Sequence, residues 1–128
     1  MTTIEQIKAF NKTFVEEEKY KDFITTKYPN KKIAILSCMD TRLTELLPAA
    51  LNLKNGDAKM IKNAGGVVSH PFGSVMRSLI VCFYQLDVEE VLVIGHTDCG
   101  MQNIDTDNLI DKMKSKNITD EKLDLIRY

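Results

Sequence analysis

The chain has 128 residues, 44% of them apolar, and 17 Lys and Arg against 18 Asp and Glu leave a formal charge of −1. That length and apolar share suit one globular domain with a modest core, while the near-neutral balance lacks the basic face that follows a nucleic-acid backbone. No apolar run reaches the roughly 20 residues of a membrane span, and "MTTIEQIKAF" has neither the basic start nor the apolar core of a secretory signal, so a cytoplasmic protein with no nucleic-acid or membrane partner is expected.

In chain order, "IEQIKAFNKTFVEEEKYKDF" sets Ile4, Ile7, Phe10, Phe14 and Val15 at helical spacing among charges, which predicts an amphipathic N-terminal helix. "KKIAILS" is a continuous β-rich run, the pattern of a strand covered on both faces. In "PAALNL", Pro48 suits a first helical turn and Gly56 follows shortly after the end. "AKMIKN" reads as a weaker strand, "GSVMRSLIVCFYQL" as an apolar-faced helix and "VEEVLVIG" as a second covered strand. "DNLIDKMKSKN" and "DEKLDLIRY" read as closing helices. Strand, helix, strand, helix, strand predicts an α/β fold: a central, mostly parallel sheet flanked by helices, with right-handed crossovers. With no repeat or linker, residues 1–128 are expected to form a single domain, with 1–28 as a helical arm.

Three cysteines, an odd number spread far apart, suit metal ligands, nucleophiles or core thiols better than a disulfide framework. In "ILSCMDTRL" the first apolar run stops at Cys38, and the last stops at Gly95 just before "HTDCG". Ligands of open parallel sheets collect beyond the carboxyl ends of the strands, so Cys38, His96 and Cys99 are placed to converge. A His-x-x-Cys pair and a distant Cys supply three of the four positions of zinc, and a site with three protein ligands keeps one open for water or substrate. Spacing alone leaves two core thiols and a satisfied histidine as the alternative. Cys82, inside "SLIVCFYQL", reads as a small buried thiol, and His70, beside Pro71, as a loop or helix-entry histidine. Asp40 and Arg42 taken alone would be a helix-start carboxylate and a solvated arginine.

"CMDTR", followed by "NAGG", "RSL" and "VIGHTDCGM", closely resembles the β-class carbonic anhydrases, particularly the short prokaryotic kind, over about Lys32 to Met101. The resemblance implies that Cys38, His96 and Cys99 hold one Zn²⁺ per chain and that Asp40 and Arg42 form a catalytic dyad beside it. It implies reversible hydration of carbon dioxide to bicarbonate by zinc-bound hydroxide. It further implies a homodimer or higher assembly whose N-terminal helix packs on the neighbouring subunit. Two thiolates and a neutral imidazole cancel the charge of the metal and blunt its acidifying effect. Asp40 would then orient the attacking group by accepting its hydrogen bond, with the planar guanidinium of Arg42 gripping the carboxylate and holding it off the metal.

In "NAGGVV", Gly65, Gly66 and Val67 are expected to wall the substrate pocket; for the glycines, a turn packed for geometry is an equal alternative. Thr97 and Asp98 read as turn residues orienting the two ligands. The pattern departs from the family at Lys62, where arginine is common, and at "VVSHPFG", where a more acidic segment is usual. Members continue beyond this point with a further strand and helix, so at Tyr128 the sheet is expected to lack an edge. There is no tryptophan, which members with an inhibitory bicarbonate pocket use there, and this favours a site open to water. Two other functions stay open: hydrolysis of CS2 or COS at the same metal, and a non-catalytic zinc-binding assembly module.

Overall fold

A three-stranded parallel sheet organises the chain in a computed structural model that describes residues 1–126. The strands are β1 (Ile33–Cys38), β2 (Ala58–Asn63) and β3 (Glu90–Val93), in spatial order β2-β1-β3. Cys38, the last residue of β1, lies opposite Asn63 of β2, while Leu36 lies opposite Val93 of β3. The middle position explains the apolar run of β1: Ala34 through Cys38 are all buried, as in strands covered on both faces. β3 departs from the covered strand predicted for it. It stands at the edge of the sheet, and Val93 is 59% exposed, because none of the described helices packs closely over it.

Five helices flank the sheet among the described residues: α1 (Thr3–Glu16), α2 (Leu43–Ala50), α3 (Ser74–Gln85), α4 (Thr106–Ser115) and α5 (Asp120–Ile126). Arg127 and Tyr128, at the end of the last predicted helix, lie outside the described residues. α1 opens on a capping box in which Thr2 and Glu5 each accept the other's backbone N–H. It is shorter than the amphipathic run predicted. The chain turns at Glu18 (φ 55°) into a 3-10 turn over Lys19–Phe23, which brings the Phe23 ring within 6.3 Å of Phe14. None of the described helices is long and apolar enough to cross a membrane.

The predicted start of α2 at Pro48 is corrected: the helix begins at Leu43, and Pro48 lies in its last turn. Asp40 sets the earlier start. Its Oδ1 accepts the Arg42 N–H at 2.8 Å and its carbonyl accepts the Leu43 N–H at 3.0 Å, so the turn that follows β1 already points the chain into a helix. Proline late in the helix omits one i→i−4 bond, and α2 stops two residues further on. Leu43 and Leu47 face inward against Cys38 and Cys99, with Ile94 alongside. On α3, Cys82 packs with Ala34 and Val88, and burial pushes its thiol pKa up, as expected of a core thiol.

Candidate metal centre

The carboxyl ends of β1 and β3 deliver the three donors to one point. Cys38 is the last residue of β1, and the Ile94 N–H bonds the Leu36 carbonyl at 2.9 Å, extending the ladder until the chain turns off at His96. The Cys38 and Cys99 sulfurs are 3.9 Å apart, and with a ring nitrogen of His96 all three donor atoms lie within 4.8 Å of one another. Both cysteines are buried and His96 is half-buried. His96 Nδ1 lies 2.9 Å from the Thr97 carbonyl, which accepts its N–H and so leaves the Nε2 lone pair free. Nε2 is itself buried and has no hydrogen-bond partner. The Cys38 thiol is drawn down to about 7, first by the His96 ring, which when protonated donates toward the thiolate, and then by the backbone N–H of Gly65.

Asp40 stands at the rim of this group, its Oδ2 4.0 Å from His96 Nε2. Arg42 holds it in a fork: Nε donates to Oδ1 at 2.9 Å and Nη2 to Oδ2 at 2.7 Å. With the Arg42 backbone N–H also on Oδ1, the carboxylate takes three bonds from one residue, and they hold its pKa well below the usual carboxylate range. Arg42 is raised in turn, first by Asp40 and then by Asp98. Asp98 accepts from Nη1 at 3.1 Å through its carboxylate and from Nη2 at 3.0 Å through its carbonyl. The helix-start reading of Asp40 and its pairing with Arg42 are therefore both realised by one carboxylate. The solvated arginine is not, although Arg42 remains 56% exposed.

An open cleft of about 490 Å³ leads to the donors, lined by Met39, Ala64, Met101 and the dyad among others. The sequence reading left out Met39, Ala64 and Met101, because neither a helical nor a strand period marks residues that meet only across loops. Gly65, Gly66 and Val67 lie beside the cleft and not among its lining residues. Gly66 has φ 62°, and a Cβ there would meet Cys38 N and the Ser37 carbonyl carbon at 3.0 Å. The loop is pinned by Asn63, whose side chain donates to the Val67 carbonyl at 2.6 Å and accepts the Val67 N–H at 3.0 Å.

Two sulfurs and an imidazole lone pair with nothing to bond form the thiolate-and-imidazole set that zinc prefers, so these residues fit that metal. The carbonic anhydrase family model matches residues 33–127, which spans β1, the dyad, the glycine loop and both ligand segments. The chain belongs to the β-class carbonic anhydrases. It is 53% identical over its whole length to YtiB, a carbonic anhydrase candidate of Bacillus subtilis, and covers 68% of that protein. It superposes on the β-carbonic anhydrase isoform I of Trichomonas vaginalis with a TM-score of 0.86 and 35% identity, over 97% of this chain and 68% of that one. It also matches the carbon disulfide hydrolase of Acidithiobacillus thiooxidans, at 30% identity over 75% of this chain and 47% of that protein. The chain thus spans about two thirds of the length of its carbonic anhydrase relatives.

Proposed function

We propose that the protein catalyses the reversible hydration of carbon dioxide to bicarbonate, with one zinc ion per chain held by Cys38, His96 and Cys99. The observation that carries this is the juxtaposition of three converging donor atoms with a carboxylate 4.0 Å from His96 Nε2 that is gripped in a two-pronged fork. A purely structural site gains nothing from a restrained acceptor, which argues against the assembly module. When bound, zinc supplies Lewis acidity that brings water within reach of ionisation near neutral pH. The chain's own residues do the rest. Asp40 accepts the hydrogen bond that aims the attacking oxygen, and Arg42 keeps that carboxylate in place. Met39, Ala64 and Met101 give the cleft an apolar wall, suited to a small uncharged substrate. We further infer a homodimer or larger assembly that covers α1, and cytoplasmic residence.

The test is steady-state CO2 hydration beside metal analysis, with CS2 as a parallel substrate. Purified protein is expected to carry about one zinc per chain, with Cys38→Ser and Cys99→Ser each losing most of it together with activity. Full zinc retention in both variants would remove the ligand assignment. Metal without CO2 hydration would point to the assembly module, and a preference for CS2 to the hydrolase.

A further inference from the structure

We propose that Asp98 is a positioning residue that ties Arg42 to the loop carrying His96 and Cys99 and so sets where Arg42 holds Asp40. The inference rests on the metal centre of the proposed reading and not on its substrate. The Arg42 guanidinium lies between two acidic residues on different loops. One edge takes Asp40 through Nε at 2.9 Å and Nη2 at 2.7 Å, while Nη1 meets the Asp98 carboxylate at 3.1 Å and Nη2 also reaches the Asp98 carbonyl at 3.0 Å. Because the guanidinium is a rigid planar fork, fixing one edge fixes the other. Asp40 lies two residues after Cys38, and Asp98 lies between His96 and Cys99, so Arg42 also fixes the spacing of the two ligand-bearing loops.

Asp98 has φ 55°, the left-handed conformation that Asp and Asn adopt more readily than most residues. In that conformation both its carbonyl and its carboxylate reach Arg42. The Asp98 side chain is 87% exposed, so the pair adds little to stability and its effect is geometric. Without that carboxylate, Arg42 would keep only the carbonyl bond to this loop and could swivel. Asp40 would then be freer to compete with small ligands for the metal's open position. Asp98 thereby biases the site toward the form that admits them.

The test uses cobalt(II)-substituted protein and azide, a small anion whose binding is read from the visible cobalt spectrum. Asp98→Gly accepts the same φ and removes the side-chain acceptor altogether; Asp98→Asn keeps the left-handed backbone and leaves a neutral, weaker acceptor for Arg42 Nη1. Both variants are expected to hold cobalt at the wild-type ratio and melt at the wild-type temperature, with Asp98→Gly binding azide about three- to ten-fold more weakly and Asp98→Asn falling between it and the wild type. A simple change of local charge predicts the opposite, since removing a negative charge draws an anion in. Azide affinity that is unchanged or tighter in loaded Asp98→Gly overturns the proposal, as does loss of cobalt from both variants. The readout does not depend on turnover. A wild type that fails to hydrate CO2 yet shows the azide difference would sink the functional reading and leave this one standing.

Discussion

Asp40 Oδ2 stands 4.0 Å from His96 Nε2, and one neighbour fixes the carboxylate there. Its three N–H bonds all come from Arg42 and keep its carboxyl well below the unperturbed 3.8. A depressed folded-state pKa contributes stability that is present above the unfolded value and fades as pH falls below it, so Asp40 stays ionised throughout the neutral range. Activity is expected to rise from neutral to mildly alkaline pH, and that limb should persist in Asp40→Asn at a rate lower by about 10- to 100-fold. Disappearance of the limb would show that Asp40 itself titrates there. Arg42→Ala should keep zinc while activity drops by about 100-fold, because the freed carboxylate moves off its aim. Near-normal hydration by that variant with metal intact would make the dyad incidental.

At the level of elements, the site depends on how closely the glycine loop after β2 seats against the end of β1. Gly66 sits at φ 62° with its α-carbon turned to the Cys38 backbone, whereas a Cβ built on Gly95 would meet nothing within 4 Å. Gly66→Ala is therefore expected to cost about 1–3 kcal/mol in denaturant unfolding, with reduced zinc content, and Gly95→Ala to change stability little. Equal effects of the two would refute the close-packing account. The same contrast explains what the sequence could reveal. β1 was readable because a middle strand must be apolar on both faces, Cys38 because it closes that run, and His96 and Cys99 because they follow the end of another. The exposure of β3 and the start of α2 were not readable, since one depends on which elements cover the strand and the other on a side-chain bond from Asp40. Asp98 gave no period or spacing to find; only the fold brings it to Arg42.

For the molecule as a whole, the unsettled surface is α1. A capping box starts the helix well, but an isolated 14-residue helix is marginal in water, and most helical stability in proteins comes from packing an apolar face. α1 buries none of its residues: Ile4, Ile7 and Phe10 are 69%, 62% and 69% exposed, and Ile7, Phe10 and Phe14 line one shallow groove. A stripe of this kind suits a partner surface, and in the assembly proposed above a second copy of the chain would cover it. The wild type is expected to be at least a dimer by light scattering at micromolar concentration. Ile7→Ser with Phe10→Ser should shift it toward monomer and lower its melting temperature, while the Cys38–His96–Cys99 group, which lies outside α1, keeps its zinc until the fold fails. A wild type that is strictly monomeric and fully active would show that α1 needs no neighbour.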